Sequence, residues 1–336
     1  MFARFRDENA TISTGRSFAP GFLPSDHVHD QQTSNPSSEQ LNSSTLDRVD
    51  ILALDDGRQL AWSEYGHRHG YPLIYLHREA GSRIEAKLLH ESACAAGFRL
   101  IAVDRPGIGY SDFKSLNAID ELVVDYEQLI RHLGLKHVGL VSWGAGSLLA
   151  MELARHLKSR ISIVNLISPQ RSHMHLPGIK ILRGSFKLGI RLLLSVRSRK
   201  MKAGEIEYFL RWREQLCYAD RKQLDNPWVS SLLIDVARQS LRQGTAGAAQ
   251  DLALSLYQNS MAVEGVSIPV HDWSDNSEAI ANQGVDKRQV NNGLLFYRHY
   301  IKRQGKLFIN RSAADIFNVA RQSLALSPVV CDPQHR

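Results

Sequence analysis

Nucleophilic acyl transfer needs an attacking oxygen or sulfur, a base to take its proton, a carboxylate to orient that base, and backbone donors for the oxyanion. In this 336-residue chain the stretch best placed to present such groups is Val138 to Ala150, VGLVSWGAGSLLA. An apolar run, a cluster of small residues and a run of helix formers describe a buried strand that turns sharply into a helix. Gly144 stands at the apex of that corner, flanked by Ser142, Gly146 and Ser147. Glycine tolerates strained backbone because it has no Cβ, but it offers no atom that can attack a substrate. Ser142 does carry a hydroxyl, and residues two apart on a strand point the same way, so it is the nearest alternative nucleophile. Further candidates for relocated chemistry are Cys217, His173 and His175. A metal site at His27, His29 and Asp30 is not expected, because a polar segment with two histidines is ordinarily solvated.

Composition narrows the setting. With 43% hydrophobic residues, the chain can bury one large core. Its three cysteines, Cys94, Cys217 and Cys331, have neither CxxC nor metal-like spacing, which fits a reducing compartment. The segment MFARFRDENA lacks the apolar core of a secretion signal, and no apolar run approaches the roughly 20 residues needed to span a bilayer, so a cytoplasmic location is expected. No cofactor and no metal are expected. The formal charge of +7 is local: Ile179 to Lys202 holds eight cations and no acid, leaving −1 for everything else.

Residues 1–45 are rich in Ser, Asn, Asp, Gln and Pro, and are expected to be a disordered polar tail. RVDILAL and RQLAWSEYG, joined by Asp56-Gly57, read as a hairpin. PLIYLH at 72–77 and FRLIAV at 98–103 read as buried parallel strands. Helices are expected from Ile84 to Ala96 and from Ala118 to Leu133, a sixth strand from Ile161 to Ile167, and an eighth from Lys306 to Asn310 preceded by a helix bearing His299.

The order strand, HREAGSR, helix, strand, DRPGIGYSD, helix, strand, small-residue corner, helix resembles the α/β-hydrolase superfamily. The resemblance runs from about Asp56 to Pro169 and resumes near Gly247 in DLALSLYQ and VSIPVHDW. It implies a mostly parallel central sheet with helices on both faces and a helical cap insertion after the sixth strand. The implied organisation is a core at 46–167 and 247–326, a cap at 168–246 and a tail at 327–336. It makes the corner a nucleophile elbow with Gly144 in the nucleophile's place, and Trp143 and Ala145 beside it. It puts the triad acid at Glu278, with Asp275 as substitute, and the base in a loop after the eighth strand. No histidine lies between Tyr300 and Gln334. The loop that usually reads HGxPGS is His77-Arg78-Glu79-Ala80-Gly81-Ser82 here, with Arg78 for the glycine and Ala80 for the proline. Arg78 is expected to reach into the pocket mouth or to fold outward into water.

Within the insertion, Lys180, Arg183, Lys187 and Arg191 recur at three and four residues, opposite Leu182, Phe186, Ile190 and Leu193. A packed apolar side with cations facing water is the expectation. Contact with an anionic membrane surface or an acidic protein is the alternative. Gly184 and Gly189 either weaken this helix or divide it. The reading that accounts for both Gly144 and the missing histidine is a protein with a degenerate catalytic site, binding a small-molecule or acyl ligand or acting in regulation. An esterase-like enzyme with a relocated nucleophile competes with it. Nucleic-acid binding lacks any supporting motif.

Overall fold

Continuous apolar runs at 71–76, 98–103, 138–143 and 161–167 can be satisfied only by strands covered on both faces, and they occupy the middle of one sheet. The computed structural model describes residues 48–170, 183–203, 205–257, 265–275, 289–291, 294–301, 305 and 307–326. The 1–45 segment, His173, His175, Lys180, Leu182, Glu278 and Cys331 lie outside them. The described strands are β1 (Asp50–Ala53), β2 (Gln59–Gly66), β3 (Tyr71–Leu76), β4 (Phe98–Val103), β5 (Val138–Trp143), β6 (Ile161–Ile167), β7 (Val270–Asp275), β8 (Gln289–Asn291) and β9 (Leu294–Ile301). They form one sheet in the order β1-β2-β4-β3-β5-β6-β7-β9-β8. The pairs from β4 across to β9 are parallel, while the hairpin β1–β2, the β2–β4 pair and the edge pair β8–β9 are antiparallel.

Two helical layers cover the sheet. On one face α2 (Val123–His132) and α3 (Gly146–His156) bury Tyr126, Leu129, Leu149 and Leu153 against Ile74, Ile101, Leu140 and Val164. On the other, a 3-10 turn at Arg83–Leu89, α1 (His90–Ala96) and α9 (Ile309–Ser323) bury Leu89, Phe317 and Ile316 against Tyr75, Leu100, Val141 and Ile163. Between β6 and β7 come α4 (Arg183–Ala203), α5 (Glu205–Glu214), α6 (Tyr218–Gln223), α7 (Pro227–Ser240) and α8 (Ala246–Tyr257). Among the described residues no helix is long and apolar enough to cross a membrane.

Three expectations need correction. The last parallel strand is β9, not 306–310: LLFYRHYI has the aromatic and aliphatic content that suits a pleated surface, and it pairs with β7 from Val270↔Phe296 to Asp275↔Ile301. The short run at 307–309 instead enters α9, where Ala313, Ile316, Phe317 and Ala320 continue it at helical spacing; so short a run cannot tell strand from helix. His299 therefore lies on a strand, not on a helix. In the insertion, α4 runs unbroken through Gly184 and Gly189. Its orientation also differs from the expected one: Ile190 and Leu194 pack on α8, Lys187 is half-buried with its ammonium donating to the carbonyl of Leu116, and Leu193 faces out. One turn of a helix drawn from spacing alone leaves the seating angle open.

Candidate functional site

All six residues of β5 are buried, and the chain leaves it through Gly144, whose φ of +55° is strained for any residue with a Cβ. The Gly144 N–H donates to the carbonyl of Ile167 at 3.0 Å, and its own carbonyl accepts from Ser147 and Gln170 at 3.1 and 3.2 Å. Gly146 opens α3 so close to β3 that a Cβ there would run into the carbonyl oxygens of Leu76 and His77. The corner is thus fixed by hydrogen bonds on both sides and by a helix start that only glycine permits.

Facing the corner is the loop after β3. Glu79 turns its carboxylate toward the apex: Oε2 accepts from the Ala145 N–H at 3.2 Å and would lie 2.9 Å from a Cβ at Gly144. Arg78 does not fold outward into water. Its Nε donates to Glu85 Oε1 at 2.9 Å, its backbone N–H to Oε2 at 3.1 Å, and its guanidinium lies 5.3 Å from the Trp143 ring centroid. Glu85 is fully buried, and burial raises its carboxyl above the ordinary range despite the guanidinium.

His77, also fully buried, is a structural residue. Its Nδ1 lies 2.8 Å from the Arg78 carbonyl oxygen and its Nε2 accepts from the Arg105 N–H at 3.3 Å, which fixes the proton on Nδ1. Burial, then the Arg105 charge, holds it neutral, well below the usual imidazole range. Ala80 has φ +49° and donates its N–H to Asp251 Oδ2 at 2.8 Å. Proline, with φ near −65° and no N–H, can do neither, which explains why this loop departs from HGxPGS.

A family model described as alpha/beta hydrolase fold matches residues 69–185. Among solved structures, a thermophilic esterase from Thermogutta terrifontis superposes with a TM-score of 0.59 at 18% identity, over 83% of this chain and 98% of the esterase. A hydrolase from Pseudomonas aeruginosa gives 0.60 at 15% identity, over 83% and 98%. The chain has the α/β-hydrolase fold. A curated relative, the dihydrolipoyllysine-residue acetyltransferase component of an acetoin cleaving system from Pseudomonas putida, is 32% identical over 114 residues, 33% of this chain. The match spans only 30% of that relative's length.

In an α/β-hydrolase fold the residue at the elbow attacks and the N–H of the next residue helps hold the oxyanion. Here those are Gly144 and the Ala145 N–H, and the latter already faces a carboxylate. Ser142 is fully buried and its Oγ donates to the Asn165 carbonyl at 3.4 Å, within the sheet rather than toward Glu79. Asp275, the substitute for the expected acid Glu278, ends β7. After β9 the described residues Gly305, Leu307 and Phe308 supply no base, and the Leu307 N–H is held by Asp220 Oδ1 of α6 at 2.7 Å. Cys217 is exposed just before α6.

Spacing did not single out the groups that hold the loop. Arg105, in DRPG, donates Nε and Nη2 to Asp251 of α8 at 2.6 and 2.7 Å, and Nη1 and Nη2 to the carbonyls of His77 and Arg78 at 2.7 Å each. Asp104 likewise receives Arg83 through its backbone N–H and Nη1, at 2.8 and 2.6 Å. A signal existed in the sequence: two charged residues inside a segment otherwise composed of loop formers.

Proposed function

We propose that this chain is a non-hydrolytic α/β-hydrolase-fold protein, a ligand-binding or regulatory protein whose elbow is closed by its own Glu79. One observation carries the reading: Glu79 Oε2 faces the Ala145 N–H at 3.2 Å, across from a glycine apex. A developing oxyanion would meet a carboxylate instead of a free donor, so the electrostatic term that usually contributes most to acyl transfer is reversed. Gly144 supplies no attacking atom, and the chain from 301 to 334 has no histidine to serve as base. The same charge disfavours an anionic ligand at the elbow and favours a neutral acyl compound or a hydrogen-bond donor. The insertion as a cap over this site, and a cytoplasmic setting, belong to the same proposal.

A second reading, an esterase-like enzyme with a relocated nucleophile, draws support from the same carboxylate. Glu79 stands close to where an elbow side chain would reach, and carboxylates can attack ester or epoxide carbon. Attack by Glu79 on an ester carbonyl would expel the alcohol and leave the acyl group on the carboxylate as a mixed anhydride, and attack on an epoxide carbon would open the ring and leave an ester. Without a histidine to activate water, either adduct adds mass to the protein until water removes it.

The two readings separate on titration with methyl octanoate, following the Ala145 amide by NMR and the intact mass of the protein. The proposal expects a saturable shift at Ala145, with ester recovered unchanged and no added mass. Octanoate release or an adduct on Glu79 would overturn it.

A further inference from the structure

Among the described residues, the strongly cationic helix α4 also carries an exposed apolar stripe. Helix α4 contains Arg183, Lys187, Arg191, Arg197, Arg199, Lys200 and Lys202 and no acid. These seven cations equal the formal charge of the whole chain, +7, so the remainder is neutral. One side of α4 is anchored: Ile190 and Leu194 pack on Ala249, Leu252, Ala253 and Leu256 of α8, and Ser195 Oγ lies 2.9 Å from Thr245 Oγ1. The other side holds Leu188, Leu192 and Val196, exposed by 66, 66 and 44%, with Leu193 beside them at 56%. Spacing by four aligns the first three along one helical face. Arg191 and Arg199 are exposed on the same helix.

We propose that α4 docks in the plane of an anionic lipid surface, with Leu188, Leu192 and Val196 in the acyl boundary and Arg191 and Arg199 among the headgroups. Three arguments select this occupant. A 21-residue stretch without one acidic group complements a surface of like negative charges, and each cation near such a surface adds to the attraction. A second copy of the chain would bring the same acid-free helix, with exposed Arg191 and Arg199, against itself, so this stripe is not a symmetric dimer interface. The stripe consists of branched aliphatic side chains with no aromatic or directional group, whereas protein interfaces concentrate energy in Trp, Tyr and Arg anchors; a bilayer asks only for apolar burial. Because α4 is held through its opposite side, docking requires no rearrangement of the core. Lys187, tied to the Leu116 carbonyl, belongs to that anchor and not to the docking face.

The test is co-sedimentation of the full chain with phosphatidylcholine vesicles and with phosphatidylcholine–phosphatidylserine vesicles, at low and at high salt. Binding is expected to the anionic vesicles only, and to weaken as salt rises. Leu188→Ser with Leu192→Ser, and separately Arg191→Gln with Arg199→Gln, should each lower the vesicle partition coefficient about ten-fold or more, with the thermal midpoint unchanged because all four side chains are exposed. Failure of the wild type to bind anionic vesicles would overturn the proposal, as would equal binding to neutral ones. So would binding indifferent to both variant pairs. Concentration-dependent self-association abolished by the leucine pair, or tight binding of an acidic protein in place of vesicles, would assign the stripe to a protein partner and overturn it equally.

Discussion

Arg105 and Asp251, 146 residues apart, meet in a buried two-bond ion pair beneath the loop that carries Glu79. The guanidinium also holds the carbonyls of His77 and Arg78, and the carboxylate takes the Ala80 N–H. The residues on both sides of Glu79 are therefore fixed from below, and the direction of Glu79 toward Ala145 follows from that frame. Bidentate geometry matters here, because a lysine at Arg105 could not serve the carboxylate and two carbonyls at once.

Asp251→Ala should cost about 3–5 kcal/mol in urea unfolding, the range for breaking a buried pair and leaving one charge uncompensated. Arg105 keeps two carbonyl partners, which places the loss at the lower end. A loss below about 1 kcal/mol would mean that the pair is solvated and does not frame the loop.

Gly144→Ala should destabilise the protein by about 1–3 kcal/mol, from a Cβ at positive φ that also approaches Glu79 and Arg78. Glu79→Ala in the same background should recover part of this, giving a coupling above about 0.5 kcal/mol in a double-mutant cycle. Strict additivity would place Glu79 away from the apex.

His271 provides a pH-dependent term. Its Nδ1 lies 3.0 Å from His299 Nε2, its Nε2 2.9 Å from Ser323 Oγ, and its ring stacks on Tyr297 while His299 stacks on Trp273. Burial and then His299 lower its pKa to about 4. The unfolded chain, titrating near 6.5, binds more protons between those values, so stability is fully present above about 6.5 and falls as pH drops toward 4. The loss should reach at most about 3 kcal/mol. Buried neutral His77 acts in the same sense, so the comparison is of wild type with His271→Asn across pH 4–7. The difference between the two should change over that window; a constant difference would contradict the assignment.

The elbow, the hairpin and the central strands were legible because VGLVSW, FRLIAV and ISIVNLI are runs that only a doubly covered strand satisfies. The end of the sheet was not, because LLFYRHYI mixes aromatic, charged and aliphatic residues and KLFIN is too short to declare its period. Within the site, Gly144 and the altered HREAGS loop could be read directly. That Glu79 meets Ala145, and that Arg105 reaches Asp251, depends on contacts across 66 and 146 residues that no local pattern encodes.

Because β9 ends at Ile301 and α9 begins at Ile309, a restored base after the last parallel strand would have to precede α9 in the chain. A histidine at Ser312 or Ala313 would be buried inside that helix. Gly144→Ser combined with Glu79→Gly should accordingly regain an elbow hydroxyl and a free Ala145 donor without becoming an efficient esterase. Ester turnover by this pair comparable to that of an intact triad enzyme would show that a base is present elsewhere.

The central claim rests on the absence of acyl transfer, and the initial rate of p-nitrophenyl butyrate hydrolysis by the purified wild type tests it most directly. Even triads stripped of a member retain roughly 10³–10⁴-fold catalysis over water through their oxyanion holes, so an accessible hole would be detectable. With Glu79 at the Ala145 donor, the wild-type rate should equal that of the heat-denatured protein, and Ser142→Ala should change nothing. Turnover above that baseline, abolished by Ser142→Ala or by Glu79→Gln, would contradict the account and identify the relocated nucleophile.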